Sequence, residues 1–149
     1  MAQAITVDDY FVDRRERYAD EYEDEIGQAA AGLVPRVNQL LATYNDMGGT
    51  VLVNGRGGDD FRGTLLDSGW RPPTVNAATP GASATSWHMR GRAVDIHDPG
   101  GALDAWLLTP EGQFSLEQCG LWLEDPNDTP GWAHVQDVPP ASGNRVFLA

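Results

Sequence analysis

Lysine is absent from this chain and cysteine occurs once. A lone cysteine excludes an internal disulfide, and Cys119, in SLEQCG near the end of an expected helix, reads as a small buried apolar residue rather than a nucleophile. The ten basic residues are all arginine and face 22 acidic ones, for a formal charge of -12. So acidic a chain is a poor partner for a phosphate backbone, and no nucleic acid is expected. No run of about 18 apolar residues is present, so no membrane insertion is expected. The opening MAQAITVDDY lacks both the basic segment and the apolar stretch of a secretory signal. The expectation is a protein that is cytoplasmic at synthesis unless something else releases it.

The 149 residues, 41% of them hydrophobic, match one domain spanning 1–149. Nine acids fall between Asp8 and Glu25, a run that reads as a solvated helical face or arm without chemistry of its own. Thr6 followed by Asp9 resembles a helix N-cap with an acidic first turn. Ile26, Ala30, Leu33, Val34, Val37, Leu40, Leu41 and Tyr44 then recur at helical spacing. Pro35 predicts a kink, or a break with proline in the first turn of a new helix. Met47-Gly48-Gly49 ends a helical part covering 1–48.

From residue 49 onward the pattern changes. Thr50-Val51-Leu52-Val53 reads as a strand, and shorter strands are expected at Ala93–Ile96, Trp132–Gln136 and Val146–Leu148. Thr109-Pro110-Glu111 has the cap, proline and acid order of a helix start, and Gly120 is placed to stop that helix. The Pro/Gly/Ala/Ser stretch from Pro72 to Thr85 reads as a long loop of the kind that carries function. Helices first and strands afterwards predict an α+β fold, with N-terminal helices packed on a small, mainly antiparallel sheet in 49–149.

Two of the three histidines lie in the segments SWHMRGRAVDI and GWAHVQ. His88, Asp95 and His134 are metal-ligand types, and a zinc ion needs their donor atoms at about 2.0–2.2 Å. Extended, the stretch from His88 to Asp95 would span roughly 23 Å, so it must reverse, and Gly91 supplies the backbone freedom for a reversal. On a strand through Trp132–Gln136, Trp132, His134 and Gln136 share one face while Ala133 and Val135 share the other. Two histidines and one carboxylate leave a fourth zinc position for water, which points to catalysis. His97, in HDPGG, reads as an exposed loop histidine. Trp70, Trp87 and Trp132 read as packing.

Three ordered motifs, Ser68-Gly69-Trp70-Arg71, SxHxxGxAxDI and WxH, resemble the zinc D-alanyl-D-alanine carboxypeptidase family. That family includes vancomycin-resistance dipeptidases, phage endolysins cutting L-alanyl-D-glutamate bonds, and the related domain of hedgehog. The resemblance runs from about Ser68 to Val146. It implies zinc held by His88, Asp95 and His134, with Arg71 pairing a substrate carboxylate or polarising the scissile carbonyl. Arginine suits either task because its guanidinium is planar and always charged; a structural ion pair is the plainer role. Ser86 is placed to bond near the site or simply to shape a turn.

Many members of the family carry an acid three positions before the last histidine, where this chain has Gly131. The general base must then come from elsewhere, and Leu121–Asp128 offers three carboxylates on what reads as a loop. Glu124 is favoured because it follows an apolar run, where burial raises a carboxylate's pKa toward a useful range. Asp125 and Asp128 look like turn residues around Pro126. A phage-type subgroup with a similar LE-P and TPGW-HxQ pattern also places a glutamate there.

The expected function is zinc-dependent hydrolysis of an amide bond in bacterial peptidoglycan stem peptide by a phage-encoded lysis enzyme or virion-associated protein, with other phage proteins as possible partners. The action would then be at the cell wall. Two alternatives remain open to the sequence: a non-catalytic zinc-binding module, and a phage structural protein on the same fold.

Overall fold

A computed structural model describes residues 3–149. Its first helix, α1 (Val7–Phe11), opens with a full capping box in which Thr6 Oγ1 accepts from Asp9 N at 3.0 Å and Asp9 Oδ2 accepts from Thr6 N at 2.9 Å. A short α2 (Arg14–Arg17) follows, and then the long α3 (Asp24–Asp46). All eight apolar positions read from the helical period of α3 are buried. Pro35 neither breaks nor restarts this helix, which runs through it. Pro35 and Ala31, whose carbonyl loses its partner, both lie on the exposed face of the helix, where solvent can serve a carbonyl that lacks an N–H.

Thr50–Val53 is not a strand. Val51 N donates to Gln3 Oε1 and Val51 O accepts from Gln3 Nε2, both at 2.7 Å. Asn54 N and O are bonded to Thr64 O and Gly63 N. Val51 is thus held by a side chain and Asn54 by a turn, Leu52 and Val53 face solvent, and the segment belongs to no strand.

The sheet begins with β1 (Leu66–Ser68). After α4 (Pro73–Ala78) come β2 (Ala93–His97), α5 (Ala102–Leu107), α6 (Pro110–Cys119), β3 (Trp122–Glu124), β4 (Trp132–Gln136) and β5 (Val146–Phe147). The fold is α+β. The strand order is β1-β2-β4-β3-β5, open at both edges and antiparallel except where β3 meets β5. Residues 72–85, read as a loop, include α4, whose first turn is favoured by Pro73. Glu124, expected on a loop, ends strand β3. Thr109 Oγ1 caps α6, and the helix ends before Gly120 as expected.

Alternation divides each central strand between two environments. Val94, Ile96, Ala133 and Val135 belong to one core with α3, while Asp95, His134 and Gln136 point to the other side. Tyr10, Phe11, Tyr22 and Trp70 form an aromatic cluster with centroids 5.2–5.9 Å apart, edge-on except for the tilted Phe11–Trp70 pair. Fully buried Trp70 thereby anchors the segment that carries Arg71. Replacing such a ring by alanine costs about 3–5 kcal/mol. Cys119 is buried in the same core, consistent with an apolar role. No helix among the described residues is long and apolar enough to cross a membrane.

Candidate metal centre

Cross-strand pairing sets out the site along one row of the sheet. Ser68 on β1 lies opposite Asp95 on β2, and Asp95 lies opposite His134 on β4. Leu123 pairs with Val135, so continuing that register by one residue sets Glu124 beside His134. Glu124 in turn pairs with Phe147 on β5. Residues directly opposite in neighbouring strands share a face, which is how positions far apart in the chain meet in one groove.

His88 comes from outside the sheet, on the 3-10 turn Trp87–Arg90, whose start Ser86 caps by accepting from His88 N at 3.2 Å. Ser86 therefore shapes the turn that carries His88. The segment around Arg71 is zipped to this turn: Arg71 N donates to His88 O and Trp70 Nε1 to Met89 O, both at 3.1 Å. Gly91 then reverses the chain at φ +75°, as its place in the sequence predicted.

His88, Asp95 and His134 are all buried, and one ligand atom from each lies within 4.8 Å of the other two. Among the described residues this is the one such group of three or more. The three side chains are a set able to hold a metal ion. His97, by contrast, is neither exposed nor in this group. It ends β2, buried, with Nδ1 2.7 Å from Asp67 Oδ1.

The hydrogen-bond arithmetic of the two rings tests the fit. His88 Nδ1 faces Gly69 O at 2.9 Å and His88 Nε2 faces Asp95 Oδ1 at 3.1 Å. His134 Nδ1 faces the same Asp95 oxygen at 2.9 Å, and His134 Nε2 faces Gln136 Oε1 at 2.9 Å. All four ring nitrogens thus face oxygen acceptors, yet two neutral imidazoles carry only two N–H groups. Meeting all four with protons requires two adjacent imidazolium ions, which burial opposes. A metal cation between Asp95 and the two rings removes the deficit and fits the donor types.

The electrostatics follow the same geometry. Burial holds His88 below its ordinary pKa despite Asp95. His134 is also penalised by burial, but its contacts with Asp95 outweigh this and raise it. Asp95 is opposed by its own burial, yet the two rings together hold it well below the usual carboxylate range. Burial raises Glu124, partly offset by the positive side of His134.

These groups line a groove of about 770 Å³ that also takes in Arg71, Trp87 and Trp132. Trp87 and Trp132 therefore help wall the groove, whereas Trp70 is core. Arg71 lies mostly buried at 12% side-chain exposure, with one terminal nitrogen 3.7 Å from Asp95 Oδ2 and the other bonded to Asn76 Oδ1 at 3.2 Å. Among the described residues, its other side-chain N–H groups make no hydrogen bond. Asp125 caps the turn Pro126–Asp128, and Asp128 accepts from Ala149 N, so both have structural partners. Gly131, three positions before His134, contributes no side chain.

Sequence reasoning gave no role to Asn76, which holds Arg71 and also donates to Ser83 O at 2.9 Å. Asn76 lies in a stretch that reads as loop, and nothing local signals its role. Compared with protein-family models, curated proteins and solved structures, the chain matches none.

Proposed function

We propose that His88, Asp95 and His134 hold a zinc ion and that the chain hydrolyses an amide bond in bacterial peptidoglycan stem peptide. The observation that carries the reading is the buried ligand set with four acceptor-facing ring nitrogens, opening on a groove that also holds an arginine and a carboxylate. The three sequence motifs that resemble the zinc D-alanyl-D-alanine carboxypeptidase family support the choice of substrate.

When bound, zinc supplies Lewis acidity, lowering a water's pKa from about 15.7 toward 7 and polarising a carbonyl. Glu124 takes the base role that Gly131 cannot. It lies beside His134 in the row, and burial raises its affinity for a proton toward the range that proton shuttling needs. Arg71 is the cation of the groove, held by Asn76 with donors to spare for a substrate carboxylate or the scissile carbonyl oxygen. Such a hydrolysis needs no covalent intermediate. A phage lysis enzyme or virion-associated protein, brought to the wall by other phage proteins, is the setting this activity implies.

Gly131 favours a second reading, a zinc-binding module without catalysis. The deciding experiment incubates the zinc-loaded protein with purified peptidoglycan and follows release of amino groups with and without a chelator. Chelator-sensitive release is the expected result; zinc retention without release points to the module.

A further inference from the structure

We propose that Gln136 is a positioning residue that fixes the ring of His134 for the metal, accepting its Nε2–H so that Nδ1 is left as the ligand atom. The proposal rests on the reading of His88, Asp95 and His134 as a metal centre, and it does not depend on which reaction the centre performs.

The argument starts at the far end of the Gln136 amide. One end of that amide lies 2.8 Å from Val138 O, and the other lies 2.9 Å from His134 Nε2. A carbonyl oxygen only accepts, so the end facing Val138 must be the NH2 group. The oxygen is thereby directed at His134, and His134 Nε2 must carry the proton. The lone pair of this ring then falls on Nδ1, the nitrogen facing Asp95.

Gln136 has little freedom to abandon this pose. It is 4% exposed, and its main chain lies between Ala93 on β2 and Trp122 on β3. Two residues apart on one strand, Gln136 and His134 necessarily share a face. On the other ring the same task falls to the main chain, since Gly69 O faces His88 Nδ1 and leaves Nε2 toward Asp95. One ligand is therefore oriented by a backbone carbonyl that no side-chain substitution removes, and the other by a single replaceable side chain. Gln136 is also uncharged. It orients the ring without adding a second negative charge near Asp95, which preserves the electron-withdrawing power of a bound divalent ion.

The test uses the whole chain, zinc alone as probe, and the variants Gln136→Leu and Gln136→Glu. Competition against a chromophoric chelator measures zinc affinity, and long-range proton–nitrogen NMR of the zinc-loaded protein identifies the ligated ring nitrogen. The expected results are ligation through Nδ1 of His134 in the wild type, zinc affinity about 10–100-fold weaker in Gln136→Leu, and a smaller loss in Gln136→Glu, which keeps an acceptor for Nε2–H but sets an oxygen in place of the NH2 group that faces Val138 O. Melting of the metal-free variants shows whether each folds. If Gln136→Leu does not, the nitrogen identified in the wild type and the affinity of Gln136→Glu decide. Ligation of His134 through Nε2, or a folded Gln136→Leu that binds zinc as tightly as the wild type, overturns the proposal alone. A wild-type protein that takes up no zinc overturns the metal reading and the proposal together.

Discussion

Replacing Gly91 by alanine perturbs the turn that delivers His88 to the site, and the structure separates two contributions. The backbone at Gly91 has φ +75°, and a Cβ there would come 2.5 Å from the carbonyl oxygen of Ile26 in α3. The left-handed conformation costs an L-residue about 1–2 kcal/mol. Relieving contact with a helix backbone adds an overpacking cost of about 1–3 kcal/mol, because no flexible side chain can swing away. Gly91→Ala should therefore lose about 2–5 kcal/mol, out of the roughly 5–15 kcal/mol typical of a folded domain. Gly143 is the control, with φ +72° and nothing within 4 Å of the point a Cβ would occupy. Gly143→Ala should lose only the conformational part, about 1–2 kcal/mol. Urea denaturation of the metal-free proteins measures both, and zinc titration follows. Because His88 lies on the displaced turn, Gly91→Ala should also bind zinc more weakly while Gly143→Ala does not. Equal stability loss in the two variants would refute the close-contact argument, and unchanged zinc affinity in Gly91→Ala would refute the link from turn to ligand.

Two further outcomes follow from named side chains. Glu124→Gln should retain one zinc and lose about 10²–10⁴-fold in turnover on peptidoglycan; full activity would remove Glu124 from the base role. Asp104 is pushed up to about 7 by burial and then by the charge of Asp98, and its Oδ1 has no hydrogen-bond partner among the described residues. The folded chain keeps a proton there that the unfolded chain releases above an ordinary carboxylate pKa of about 3.9, so the associated stability is complete below that pH and lost as pH rises through 7. The melting temperature of Asp104→Asn relative to wild type should therefore climb between about pH 4 and pH 8, and parallel curves would show that Asp104 titrates normally.

Long regular elements were legible because their period repeats. Over the 23 residues of α3 the apolar stripe had room to declare itself, and the eight core positions followed from it. The strands carrying Asp95 and His134 were legible for a similar reason, since alternation of Ala133 and Val135 with His134 and Gln136 specifies two faces. β1 and β3 are three residues each, too short to show a period, so Glu124 reads as loop. Thr50–Val53 has strand-like residues, but its hydrogen bonds go to Gln3, a partner 48 positions away that no local pattern indicates.

The site divides the same way. His88, Asp95 and His134 stood out by residue type and motif, and the structure brings them together with Arg71 and Glu124 in one groove. His97 reads as exposed in the sequence because its partner Asp67 lies 30 positions earlier in the chain. Gln136 was placed on the right face by alternation, but its bond to the ring appears only once the side chains are positioned. Asn76 gave no signal, because its partners Arg71 and Ser83 meet it through the fold of a segment with little periodic pattern.

The measurement that bears most directly on the central claim is zinc content, determined by elemental analysis after metal reconstitution and removal of loosely bound ions, for the wild type and for His134→Ala. One equivalent in the wild type and none in a folded His134→Ala is the predicted result. A wild type that retains no zinc, or a variant that retains as much as the wild type, would contradict the assignment of His88, Asp95 and His134 as the metal centre.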